Sequence, residues 1–192
     1  MMNLPYRLIL GSKSPRRQEL LRSLGYEFRV EVREVDESFP AELAIEELAE
    51  FIAKKKSQAF DELQDNELVI TSDTVVVCDG KALAKAKDDH EAKEMLRLLS
   101  DKTHQVITGV CLKSTQHQTL FSESTLVHFA KLSEKEMDYY IERYQPFDKA
   151  GAYGIQEWIG MIGIKGIEGD YYNVMGLPLH KLYKALNTFL EL

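Results

Sequence analysis

Long apolar runs are missing from this sequence: none approaches the ~20 residues that a membrane-crossing helix needs. Met1 to Tyr6 also lacks the basic stretch and apolar segment of a secretory leader. The chain is therefore expected to be soluble and cytoplasmic, with no membrane partner. Cysteine is scarce. Cys78 and Cys111 each sit in an apolar, β-like run, with no Cys-x-x-Cys pair, so buried free thiols are expected rather than a redox or metal role. Surplus positive charge is lacking too: 24 Lys and Arg against 31 Asp and Glu leave a net charge of -7. That balance excludes nonspecific attraction to nucleic acid, and any anionic ligand must be met by a local basic cluster. There is no low-complexity tract, internal repeat or linker-like stretch. With 192 residues, 44% of them hydrophobic, the expectation is a single globular domain spanning 1–192, built as two closely packed lobes. Walker A spacing, a Gly-x-Ser-x-Gly elbow and a His-x-x-x-His pair are all absent, which leaves P-loop, serine-triad and zinc chemistry without support.

What is present alternates between strand and helix signals. Leu8 to Leu10 reads as a strand stopping at Gly11. Ser14-Pro15 then starts a helix, with Leu20, Leu21 and Leu24 on its buried face and Gly25 at its end. Phe28 to Val35 alternates as a second strand, and Asp36 to Pro40 is an acidic loop. From Ala41 to about Leu63 the apolar spacing is helical. Leu68 to Cys78 is a β-branched strand closed by Asp79-Gly80, with Lys81 to Ala84 returning as a hairpin. Asp88 or Asp89 caps a further helix, and Gln105 to Lys113 and Thr119 to Lys131 read as strands. Ser133 to Glu136 is a capping box ahead of a helix that Met137, Tyr140, Ile141 and Tyr144 mark. Seven of the 11 glycines fall between Gly151 and Gly176, which predicts a loop-rich segment with short strands before a final helix from Pro178 to about Leu190.

Two places could carry chemistry. At Gly11 to Arg17 free N–H groups and the positive end of a helix converge, which favours an anion. Arg16 and Arg17 lie in the first turn, where cations are disfavoured, so compensation from outside the helix is expected. A bound phosphate and a solvated helix start are both compatible with this. Asp73 stands inside an apolar strand, where an ionised carboxylate needs a cationic partner. A hard divalent ion, Mg²⁺ or Mn²⁺, fits, and so does a structural Arg or Lys. Glu37, in the acidic loop, is a candidate second ligand or orienting base. Lys56 lies at the margin of a helical face, and Lys85 follows the hairpin. Each is either directed inward or a snorkelling surface lysine.

Leu10-Gly11-Ser12-Lys13-Ser14-Pro15-Arg16-Arg17-Gln18-Glu19-Leu20-Leu21, Ser72-Asp73-Thr74-Val75-Val76 and Asp148 to Gln156 closely resemble the signature blocks of the Maf family. Ile167 to Val174, leading into Gly176-Leu177-Pro178, adds to the match, and the resemblance runs from about Leu8 to the final helix. It implies an α/β fold similar to the inosine triphosphatase group: a mixed twisted sheet with flanking helices and two lobes around a cleft. It also implies a nucleoside triphosphate pyrophosphatase dependent on a divalent cation. By position, Asp73 matches the proposed catalytic acid, with Glu37, Lys56 and Lys85 as further polar positions around the phosphates and Asp73 and Glu37 at the metal. Ser12, Ser14, Arg16 and Arg17 fall on the phosphate side. Arg16, Thr74 and Gln156 are the specificity positions, and the pattern looks like the branch acting on dTTP and UTP. A nucleotide-binding regulator of septum formation with little turnover and a 7-methyl-GTP pyrophosphatase are the alternatives, and a homodimer stays open. The chain departs from the family pattern at Gly11, where Ala is frequent, and at Ala86, where Pro is usual.

Overall fold

The computed structural model describes residues 5–190, so residues 1–4 of the segment inspected for a leader lie outside it. In chain order the elements are β1 (Arg7–Leu10), α1 (Pro15–Ser23), β2 (Phe28–Val30), α2 (Ile45–Gln58), β3 (Glu67–Cys78), β4 (Lys81–Leu83), α3 (Asp89–Leu99), β5 (Thr103–Lys113), β6 (Gln118–Phe129), α4 (Glu134–Tyr144), α5 (Trp158–Gly163), β7 (Ile164–Glu168), α6 (Tyr171–Met175) and α7 (Leu179–Leu190). The helix starts follow the polar side chains that precede them, because those hydroxyls and carboxylates accept the otherwise unpaired first-turn N–H groups. Ser14 accepts from the Arg17 N–H, Asp88 from that of Glu91, and Ser133 with Glu136 closes a full capping box. No described helix is long and apolar enough to cross a membrane.

The architecture is α/β. Seven strands form one mixed sheet in the order β2-β1-β3-β5-β6-β7, with β4 also paired to β3. β1 runs parallel to both β2 and β3, while β4 is antiparallel to β3 and β7 antiparallel to β6. The chain divides into two compact units. The first comprises residues 1–73, 108–123 and 176–192, and the second residues 74–107 and 124–175. In the first, Ile9, Phe60 and Val69 form a small buried cluster with Leu63 against it. The second holds a larger core that includes Val76, Leu96, Val106, Phe129 and Tyr140. Cys78 and Cys111 are both buried and free, as their apolar surroundings predict.

Three stretches differ most from the sequence reading. The second strand ends at Val30 rather than Val35, because β1, its partner among the described residues, ends at Leu10, in register with Val30. The helix expected over 41–63 covers Ile45–Gln58. Past its end Phe60 turns into the cluster with Ile9 and Val69, and the Lys113 ammonium donates to the carbonyls of Ser57 and Phe60, at 3.2 and 2.8 Å. The glycine-rich segment contains one short strand, β7, together with two short helices, α5 and α6, in place of several strands.

Candidate active site

The first unit gathers most of the expected residues. After β1 the Gly11 N–H donates to the Ile70 carbonyl at 2.8 Å, which keeps the chain against β3 as it leaves the sheet. The buried Ser12 hydroxyl then accepts from the Ser14 N–H at 3.2 Å and from Arg17 Nη1 at 3.4 Å. Arg17 also donates through Nε to the Gly176 carbonyl at 2.9 Å and through Nη1 to the Ser72 carbonyl at 3.0 Å. For Arg17 the compensation expected from outside the helix is supplied by the Ser72 and Gly176 carbonyls. Burial lowers its pKa, the charge of Asp73 counters that, Arg16 lowers it further and Glu37 raises it. Arg16, on the same turn, is partly buried.

α2 is seated so tightly that its register is fixed. A Cβ at Gly109, on β5, would lie 2.3 Å from the Glu50 nitrogen and 2.4 Å from the Ala49 carbonyl atoms, all of them helix backbone. The Thr71 hydroxyl, on β3, donates to the Ala53 carbonyl at 2.7 Å. Two residues on, and so on the same face of the strand, stands Asp73. Lys56 Nζ, one turn beyond Ala53, lies 2.8 Å from Asp73 Oδ1 and 3.0 Å from Glu37 Oε1. The loop carrying Glu37 is held by Asp36, which accepts from the Ser38 N–H at 2.9 Å, and by Lys55, which donates to the Ser38 carbonyl at 2.9 Å. Lys56 is thus an inward, paired lysine rather than a snorkelling one, with its side chain 18% exposed. Asp73 is 20% and Glu37 59% exposed, so the carboxylates remain accessible to solvent.

The remaining positions lie in the second unit. Lys85 is exposed, and its main chain makes a bridge to Ala150, beside a bond from the Gly151 N–H to the Ala84 carbonyl at 3.2 Å. Thr74 is partly buried. Gln156 is partly buried, and its Oε1 is buried with no hydrogen-bond partner among the described residues. Sequence reasoning missed Lys113, Thr71 and Gly109 as residues that seat α2. It also missed Ser72, whose carbonyl anchors Arg17. Such roles run through backbone atoms and leave no periodic signal.

The donor set suits a hard cation. Among the described residues no group of three or more His, Cys, Asp or Glu could hold a metal ion. A zinc-type protein cage is therefore not formed by them. Asp73 and Glu37 nevertheless share one ammonium, and two carboxylates that leave room for water and phosphate oxygens are what Mg²⁺ or Mn²⁺ takes.

Comparison with known proteins decides the family: the model described as Maf-like protein matches residues 7–189. The chain belongs to the Maf family. It is 52% identical over 183 residues to the dTTP/UTP pyrophosphatase of Bacteroides thetaiotaomicron, covering 94% of this chain and 95% of that protein. Proteins of the same name from Porphyromonas gingivalis and Christiangramia forsetii are 50% and 49% identical, each covering 97% of this chain and 96% and 95% of their own lengths. Among solved structures, the Ham1 protein of Staphylococcus aureus aligns with a TM-score of 0.53 at 16% identity, covering 96% of this chain and 98% of that one. The HAM1 protein of Coxiella burnetii gives 0.52 at 16%, with 95% and 99% covered. These likenesses establish a shared fold. The two departures from the Maf pattern acquire a structural setting. A Cβ at Gly11 would lie 2.7 Å from Thr71 Cγ2, so Ala is not accommodated without movement of Thr71. Ala86 is buried in the second unit's core, next to the bridge that holds the Lys85 main chain.

Proposed function

We propose that this Maf protein is a nucleoside triphosphate pyrophosphatase that converts dTTP and UTP to the monophosphate and pyrophosphate. The observation that carries the reading is the meeting of Asp73 and Glu37 at Lys56, close to Arg17, in a chain about half identical to proteins named for that activity. Water attacks the α-phosphorus, the bond to the bridging oxygen breaks, and pyrophosphate leaves with that oxygen. Asp73 takes the proton of the attacking water, while Lys56, Arg16 and Arg17 offset the negative charge on the phosphates. A Mg²⁺ or Mn²⁺ held by Asp73 and Glu37 would supply Lewis-acid polarisation of the phosphate oxygens.

Base preference is assigned to Gln156. Uracil and thymine present an N3–H donor between two carbonyls, and an amide offers one acceptor and two donors to match. The buried, unpartnered Gln156 Oε1 is an acceptor that such a donor would satisfy. Cytosine lacks the N3–H. A panel of triphosphates, including CTP and 7-methyl-GTP, assayed with each cation for pyrophosphate release, tests the proposal. dTTP and UTP are expected to turn over fastest. Release of inorganic phosphate with a diphosphate overturns the reaction, preferential turnover of 7-methyl-GTP overturns the base assignment, and tight binding with negligible turnover favours a nucleotide-responsive regulator.

A further inference from the structure

The loop that carries Gln156 is tied at three points to a polar cluster built around the buried Lys149 and Tyr140. At its start Lys149 Nζ lies 2.8 Å from Asp148 Oδ1 and 3.0 Å from Glu157 Oε1, with the lysine side chain only 8% exposed. At its end the other oxygen of Glu157 accepts from the hydroxyl of Tyr140, a residue of α4. In the middle the Gly154 N–H donates to the same hydroxyl at 3.0 Å. Burial, together with the adjacent Glu157 carboxylate, holds the Tyr140 hydroxyl protonated well above its ordinary range, which keeps it a donor. A Cβ at Gly154 would lie 2.9 Å from Glu157 Cδ and 3.1 Å from Lys149 Cε, so a larger residue there would displace the side chains of the cluster.

Holding the loop is costly. Ala152 adopts φ of +54°, a left-handed conformation that costs an L-residue on the order of 1 kcal/mol, and Gly151 before it adopts +69°. A buried lysine–carboxylate pair is also a poor source of net stability compared with apolar packing. A cluster of this kind is better explained by the single conformation it enforces. Gln156 is the residue it fixes most directly. It immediately precedes Glu157, and its Oε1 stays buried without a partner among the described residues, an arrangement a free side chain would relieve by turning to water.

We infer that Tyr140, Glu157 and Lys149 form a clamp that sets the position of the Gln156 amide and are positioning residues for base selection. The inference rests on the base-reading role proposed for Gln156. It takes the clamp's occupant to be a pyrimidine bearing an N3–H, read through an acceptor placed in advance.

The test is a double-mutant cycle on the full chain with Tyr140→Phe and Gln156→Ala, read as the ratio of kcat/KM for UTP to that for CTP. Y140F is expected to lower the ratio about tenfold through KM, the size of one lost hydrogen-bond discrimination, with kcat for UTP within about twofold of wild type. Q156A is expected to lower it at least as far, and the double variant no further than Q156A. If Y140F does not fold, as judged by thermal melting, Glu157→Gln, which removes the charge facing Lys149, replaces it in the cycle. A ratio unchanged by the clamp variant, or effects that multiply in the double variant, overturns the inference. Absence of pyrophosphate release by wild type defeats the proposed reaction instead. The same cycle is then read as the ratio of Kd for UTP and CTP by calorimetry, where an unmoved ratio, or no binding of either nucleotide, overturns the clamp.

Discussion

Two lysines in this protein hold a pair of carboxylates each, at nearly the same distances. Lys56 meets Asp73 at 2.8 Å and Glu37 at 3.0 Å, and Lys149 meets Asp148 at 2.8 Å and Glu157 at 3.0 Å. The clusters differ in how they are built. Lys56, Asp73 and Glu37 come from a helix, a strand and a loop far apart in sequence, whereas Lys149, Asp148 and Glu157 lie within one short loop. They differ also in what completes them. A tyrosine hydroxyl occupies Glu157, but Glu37 is 59% exposed and free to exchange Lys56 for another cation. Equal ion-pair geometry thus serves two ends: one cluster can release its carboxylates to incoming chemistry, and the other, with Glu157 bound by both a lysine and a tyrosine, holds a backbone in place.

The largest effect that would break this contrast is on turnover. Asp73→Asn is expected to lower kcat for UTP by about 10³-fold, within the span attributed to general acid–base groups, as measured by pyrophosphate release. Full activity would make the Lys56 cluster as purely structural as the other. Stability should show the opposite ranking. Lys149→Met removes the buried cation that faces Glu157 and is expected to cost about 2 kcal/mol in urea unfolding. Lys56→Met, at the more open site, is expected to cost about 1 kcal/mol. Equal losses would erase the distinction.

The burial of one histidine in the second unit predicts a pH dependence. His104 is buried, its Nε2 lies 2.7 Å from the Tyr153 hydroxyl, and burial first, then the nearby His128, lowers its pKa to about 4 from 6.5. Below 6.5 the unfolded chain takes up a proton that the folded chain refuses until about 4, so stability falls as pH falls through that window. The loss approaches about 3 kcal/mol and should be largely absent in His104→Gln, as urea titrations at several pH values will show. Smallest is the effect of restoring the family's frequent residue at position 11. Gly11→Ala is expected to cost about 1 kcal/mol by pressing on Thr71 Cγ2, and Thr71→Ser, which keeps the hydroxyl bonded to Ala53, should recover it.

Where local chemistry settles an element, the sequence is a good guide. The Ser133 capping box, the Ser14-Pro15 helix start and the Asp79-Gly80 hairpin all stand where their side chains place them. β2 was overextended because its end depends on where β1 runs out, a fact held by another segment. The helices within 151–176 escaped because glycine density masks their short apolar periods. Among site residues, Lys56 was visible as a lysine at the margin of a helical face. The family blocks singled out Gln156. Tyr140 was legible only as an apolar position on α4, since nothing in a helical period says that its hydroxyl bonds a loop residue. For Arg17 the need for compensation was legible but its source was not, because its carbonyl partners are backbone atoms of distant segments.

Gly109 carries a consequence for how such a protein would answer an exhaustive substitution experiment. With helix backbone 2.3 Å from where any Cβ would stand, every replacement pushes on the segment that delivers Lys56. Position 109 should therefore tolerate as little as Asp73 does, although glycine offers no functional group to a nucleotide. Intolerance at that strand position would measure the exactness with which a helix must be seated, and a scan scored on activity alone would enrol a bare stretch of main chain among the reactive residues.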